Sequence, residues 1–378
     1  MKIKDNIEYY STKVSEHDLA FAVKDIYGVF YSTDGKRLLG IESKDFYTNK
    51  YEIREGTEVI CDRAFMSSSL RKIKIPDSVI VIGERVFDSC INLHHADIGK
   101  GVKIIKEFAF RCCHKLETLS LPDNVETIES MAFSYTGIKE LIIPPFCSKI
   151  TGNPIAYNNV RIRSNSPHFI VEDDILFTSN KNELISFQSS ISTFTIPNSV
   201  TRIGSYAFWY STNLTNIVIP TSVKDIGINP FANCDLAINN QSKDFSSKWR
   251  LLIDNRKNSI IACYSNHDTI YIPDGIKSIE KSAFCNTKIK EVKIPYSVRN
   301  IKDNAFESST IEKVELPNSI TKICKFAFYG CLGIKEFIVP RNVEYIGKSA
   351  FQFCRNLKAV YIPASVRYIG FKAFISCI

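Results

Sequence analysis

The feature that most constrains this chain is an internal repeat of 22 or 23 residues that runs through most of its 378 residues. A Pro slot lies 11 residues before each aromatic slot, which is usually the Phe of an Ala-Phe pair. Such a repeat predicts a solenoid, in which each unit packs only on its neighbours. The twelve aromatic slots are Phe65, Phe87, Phe110, Phe133, Ile155, Phe208, Phe231, Phe284, Phe306, Phe328, Phe351 and Phe374.

One complete unit, Leu357–Cys377, shows how the repeat should fold. Its first residues alternate apolar and polar side chains, which predicts a half-buried strand that ends at Pro363. The residues expected to point back inward are Val366, Ile369, Ala373 and Phe374. Because no single unit can bury this apolar set, the units should stack with their strands parallel on one face, about 4.8 Å apart.

Two spacings of 53 residues, Ile155 to Phe208 and Phe231 to Phe284, interrupt the repeat. Each contains two apolar runs around a polar turn, which predicts a β-hairpin insertion, and a similar pattern surrounds Asp34-Gly35. We therefore predict a single solenoid over 1–378. Its parts are an N-terminal hairpin cap (1–50), repeats (51–155), a hairpin insertion (156–190), repeats (191–231), a second insertion (232–265) and repeats (266–378).

The repeat, written IP-x-SV-x-x-IG-x-x-AF-x-x-C-x-x-L-x-x-V, resembles the BspA-like (treponemal-type) leucine-rich repeat over about residues 50–378. The resemblance implies a β-rich leucine-rich-repeat solenoid with a parallel sheet on the concave face and short helical or extended turns opposite. It also implies a non-enzymatic, surface-associated or secreted protein that acts in adhesion or recognition, with matrix, host or cell-surface proteins as partners. An intracellular protein-interaction scaffold is the alternative, since no secretion signal is visible in residues 1–13.

Charge, hydropathy and motifs argue against three further classes of function. The net charge of +8 is spread along the chain without a block of like charges, which does not favour nucleic-acid binding. No run of about 18 apolar residues predicts a membrane span. We find no phosphate-binding loop, nucleophile elbow or zinc-protease motif, so we predict no enzyme activity and no cofactor.

The twelve cysteines also follow the repeat. Six lie three residues after the aromatic slot, where other units carry Ser or Thr, so we expect a small side chain near the core and mostly free thiols. The best metal candidate is the group Cys90, His94, His95, Cys112, Cys113 and His114. The repeat places its cysteines and histidines on different parts of the coil, so we predict no metal site.

A partner should contact the side chains that the strands offer on the open face, two residues before the Pro slot. Aromatic and apolar residues with some charge favour the C-terminal part of this column. We predict a protein-binding site formed by Tyr271, Lys293, Glu315, Ile338 and Tyr361. The last repeat ends at Ile378 without a polar cap, which predicts either further sequence or self-association at that end.

Overall fold

The computed structural model describes residues 10–43, 49–156, 160–265 and 267–377. They form two compact units, one up to Ser189 and one from Ser190 onward. Within each unit the chain winds as a β-solenoid, as the repeat predicts. The predicted cap at 1–50 and the predicted end at Ile378 include residues outside the described ones, and the predicted domain boundaries stay predictions.

Most coils contribute one strand to each of two sides of the solenoid, whereas the coil that holds Thr127–Ile128 has no open-face strand. We call the sheets formed just before the Pro slot the open face, and those formed by the two-residue strands after it the second sheet. In the first unit the open-face strands are Lys50–Glu52, Lys72–Ile75, His95–Ile98, Glu140–Ile143 and Arg161–Ser164. Its second-sheet strands are Val59–Ile60, Val81–Ile82, Ile104–Ile105, Thr127–Ile128 and Lys149–Ile150.

The second unit repeats this arrangement. Its open-face strands are Thr193–Thr195, Asn216–Ile219, Ala237–Asn240, Thr269–Tyr271, Glu291–Lys293, Lys313–Glu315, Glu336–Ile338 and Ala359–Tyr361. Its second-sheet strands are Arg202–Ile203, Asp225–Ile226, Ser278–Ile279, Asn300–Ile301, Lys322–Ile323, Tyr345–Ile346 and Tyr368–Ile369. The second sheet was not predicted, because two-residue strands are too short to give an alternating pattern.

Three antiparallel modules lie where the sequence predicts hairpins, and each has three strands. The strands are Val23–Lys24, Val29–Tyr31 and Arg37–Ile41; Phe169–Glu172, Ile175–Thr178 and Glu183–Phe187; and Phe245–Lys248, Leu251–Asp254 and Ser259–Cys263. The last strand of the first and third modules pairs in parallel with a second-sheet strand. These modules therefore belong to the solenoid wall rather than being loops that leave it.

The wall opposite the open face consists of turns at the aromatic slot. The rings of successive coils stack in the core, for example Phe306 on Phe328 with ring centroids 5.1 Å apart and an interplanar angle of 2°. The residues two before and two after each Phe of the aromatic slot adopt left-handed backbone, as Arg63 and Ser67 do around Phe65. Within the described residues the α-helix is the single turn Glu16–Ala20, so this wall is made of hydrogen-bonded turns without α-helix.

The unit Leu357–Cys377 deviates in part from its predicted burial. Ala373 is buried and Val366 and Phe374 are half-buried, but Ile369 is 47% exposed. The equivalent residue one coil earlier, Ile346, is fully buried. The difference arises because Leu357–Cys377 is the last described coil and packs against a neighbouring coil on one side only.

Candidate protein-binding surface

The open-face strands of the second unit orient the predicted binding residues by simple alternation. In Thr269–Tyr271 and Glu336–Ile338 the central residue is buried in the core, so its neighbours must face outward. Tyr271 is 67% exposed, Ile338 70% and Tyr361 59%. Apolar side chains this exposed lie outside the core, so the core does not explain why they are apolar.

The strand register brings the five predicted residues together in two groups. Tyr271 is the cross-strand partner of Lys293, and Lys293 is the partner of Glu315. Ile338 and Tyr361 are partners in a neighbouring pair of strands. A groove of about 550 Å³ lies where the groups meet, lined by residues of both Lys313–Glu315 and Glu336–Ile338.

The charged residues of the first group form a surface network. The Nζ atom of Lys293 lies 2.6 Å from Glu291, while Nζ of Lys313 lies 3.7 Å from Glu291 and 3.1 Å from Glu315. The hydrogen bond from Lys293 holds the pKa of Glu291 below its usual range. Exposed pairs of this kind stabilise a fold little, so their charges remain available to a partner.

A second groove, of about 780 Å³, adjoins Tyr271 on the side of the third hairpin module. The hairpin turn contributes Trp249 and Arg250, and the segment after the module contributes Tyr264 and His267. Sequence reasoning missed these residues because the hairpin pattern reveals a turn but not which surface the turn approaches. The sequence did carry one signal: the turn holds an aromatic and a basic residue, Trp249 and Arg250, at positions where Asn or Gly is usual.

The cysteine slot has a specific geometry that the sequence only partly indicates. Its cysteines donate their S–H groups to the backbone C=O of the aromatic residue in the preceding coil, with Sγ–O distances of 2.9–3.1 Å. These cysteines are Cys90, Cys113, Cys234, Cys331, Cys354 and Cys377. In two other coils Thr136 and Thr287 donate to the aromatic residue of their own coil at 2.8 Å. The slot therefore selects a small side chain that can donate a hydrogen bond.

The slot thiols are poor candidates for chemistry. Burial raises the pKa of Cys234 and of Cys331 to about 12, so both stay protonated at neutral pH. None of the twelve cysteines forms a disulfide. In the predicted metal candidate, His94 and His95 are exposed on the open face whereas Cys90 is buried in the slot. Within the described ranges no three His, Cys, Asp or Glu side chains are arranged to hold a metal ion.

The chain matches the family described as the BspA-type leucine-rich repeat region in six copies, over residues 41–161, 177–247 and 258–378. The chain belongs to this family. Its solenoid is of a class whose members are generally protein-interaction proteins without catalytic activity. The unmatched internal stretches, 162–176 and 248–257, lie largely within the second and third hairpin modules.

The solved structures that the chain matches include bacterial leucine-rich repeat proteins. One from Eubacterium ventriosum is 17% identical, with a TM-score of 0.49, and the match covers 94% of this chain and 92% of that one. One from Bacteroides ovatus is 21% identical (TM-score 0.37; 94% and 90%), and a leucine-rich cell surface protein from Faecalibacterium prausnitzii is also 21% identical (TM-score 0.34; 94% and 90%). No curated protein sequence matches the chain. No helix among the described residues is long and apolar enough to cross a membrane.

Proposed function

We propose that the open face of the second unit binds a protein partner through Tyr271, Lys293, Glu315, Ile338 and Tyr361. The observation that carries this proposal is the exposure of three large apolar side chains on aligned strands beside a network of charges. Protein interfaces combine apolar anchors with a polar surround in this way. The partner, which we expect among matrix, host or other cell-surface proteins, would place apolar side chains over Ile338 and Tyr361.

Membership in the BspA-type family supports a role in surface-associated adhesion or recognition. The lack of a disulfide among the twelve cysteines favours a second candidate, an intracellular interaction scaffold, because thiols stay reduced more readily in the cytosol. Staining with an antibody against the chain separates the two. Staining of intact cells supports adhesion, whereas staining only after permeabilisation excludes it and supports the scaffold.

The binding surface itself is tested by a double variant, Ile338→Ala/Tyr361→Ala, assayed by biolayer interferometry against purified extracellular-matrix and cell-surface proteins. We expect an affinity loss of at least about tenfold, since truncating two central anchors removes hot-spot contacts. The matched control is Tyr296→Ala/Leu332→Ala, which removes two exposed apolar side chains outside the open-face strands. Equal losses in both double variants would contradict the proposed site.

A further inference from the structure

The groove beside Tyr271 lies along a free edge of the open-face sheet. The strand Thr269–Tyr271 has one strand neighbour among the described residues, Glu291–Lys293. No residue of that neighbour lines the groove, whereas Thr269, Ile270 and Tyr271 do. The groove is therefore on the opposite side of the strand, where the hairpin turn at Trp249 stands in place of another open-face strand.

The direction of the backbone groups makes this edge suitable for another strand. The C=O of Asp268 and the N–H of Ile272 bond to the neighbouring strand, at 2.7–2.9 Å and 3.0 Å. Backbone groups alternate in direction along a strand, so those of Thr269 and Tyr271 point the other way, toward the groove. An exposed edge of this kind is a template for an extended chain.

The turn that closes the groove carries side chains that its backbone does not require. Trp249 and Arg250 both adopt left-handed backbone, and Trp249 is 64% exposed. The hairpin module of the first unit makes the same left-handed turn with Asp173 and Asp174. Left-handed backbone is unfavourable for a residue with a bulky side chain, so the turn geometry does not explain the presence of Trp249.

The described side chains that line the groove include basic residues but no acidic ones. Arg250 and His267 line the groove, and no carboxylate does. Arg250 is held in place by a 2.7 Å hydrogen bond to the C=O of Leu236 and by Asp235 at 3.3 Å, which is not a lining residue. A fixed guanidinium in a groove without acidic side chains favours a negatively charged ligand group.

We propose that this groove binds an extended peptide segment of the partner protein as an additional strand beside Thr269–Tyr271. The peptide backbone pairs with the outward N–H and C=O groups of Thr269 and Tyr271. An aromatic or apolar side chain of the peptide packs between Trp249 and Tyr271, and an acidic side chain lies near Arg250 and His267. Strand addition of this type gives affinity through backbone bonds and specificity through side-chain pockets. The inference rests on the proposed function and specifies how its partner is recognised.

A phage-displayed library of random dodecapeptides tests the proposal on the full chain. We expect enrichment of peptides with an acidic residue close to an aromatic one. The best synthetic peptide, measured by fluorescence polarisation, should bind at least about tenfold more weakly to Trp249→Ala and to Arg250→Ala. The control variant Tyr296→Ala removes an equally exposed aromatic outside the groove and should change the affinity less than twofold.

Backbone pairing has a signature that side-chain packing alone lacks. Backbone nitrogens of the peptide can be methylated in either of two alternating sets. Methylating the set whose N–H groups face the strand should abolish binding, and methylating the other set should leave binding nearly unchanged. Equal affinity of the two methylated peptides would overturn the inference. A library that yields no peptide whose binding depends on Trp249 would also overturn it. The proposed function fails separately, if a partner protein binds equally well to Ile338→Ala/Tyr361→Ala and to its control.

Discussion

The hydrogen bond made by Cys331 allows a quantitative test of the repeat. Its Sγ lies 3.0 Å from the C=O of Phe306, and the side chain is fully buried. Cys331→Ala removes this donor and leaves a small void, whereas Cys331→Ser keeps a donor at the same position. The comparison therefore separates the hydrogen bond from simple loss of volume.

The magnitude follows from the surroundings. A buried hydrogen bond contributes about 1 kcal/mol, and removing one buried heavy atom costs about another 1 kcal/mol. The C=O of Phe306 keeps a bond from the backbone N–H of Ser309, at 3.1 Å, so it is not left without a partner. We expect Cys331→Ala to lower the free energy of unfolding by about 2 kcal/mol and Cys331→Ser by about 1 kcal/mol or less.

Equilibrium urea unfolding, followed by circular dichroism and compared at equal m-values, measures these differences. The matched control is Cys324→Ala, because Cys324 is half-buried and lies outside the slot. That change should cost less than about 1 kcal/mol. Equal destabilisation by Cys331→Ala and Cys331→Ser, or a cost of Cys324→Ala as large as that of Cys331→Ala, would contradict a role for this hydrogen bond.

Two further predictions concern charge. Burial raises the pKa of Cys331 to about 12, so its contribution to stability is complete below pH 9 and is lost as the pH rises toward 12. Between those limits, the free energy of unfolding from urea titrations should fall less steeply with pH for Cys331→Ser than for wild type, by about 1.4 kcal/mol per pH unit, and parallel slopes would contradict this. Burial alone would raise the pKa of Asp88, but Arg111 at 2.7 Å and Arg85 at 3.2 Å hold it below its usual range. Asp88→Asn should therefore lower the free energy of unfolding at pH 7 by about 3 kcal/mol in the same assay, a penalty that shrinks toward low pH, and a cost below about 1 kcal/mol would exclude the buried ion pair.

The repeat itself was predictable because the residues that define it are chemically restricted. The aromatic slot must fill the core, and Pro273 or Pro363 must end a strand, so their spacing appears directly in the sequence. The column through Tyr271 and Lys293 followed, since a fixed repeat length fixes which residues are cross-strand partners.

Two other features of the structure could not be predicted from the sequence. The left-handed positions around the aromatic slot hold residues as different as Arg63, Met131 and Tyr206, because hydrogen bonds between neighbouring coils, rather than the residue type, impose that backbone. The groove at Trp249 depends on where a hairpin turn lies against a later strand, which is a tertiary contact that local pattern does not encode.

Footprinting shows directly whether partners bind the open face of the second unit. Hydroxyl-radical labelling of the chain, alone and with a matrix or cell-surface protein that it binds, reports the accessibility of each exposed side chain. We expect protection of Tyr271, Ile338 and Tyr361 on binding and unchanged labelling of Tyr296 and Leu332. Protection of Tyr296 and Leu332, with the open-face residues still labelled, would contradict binding at the open face.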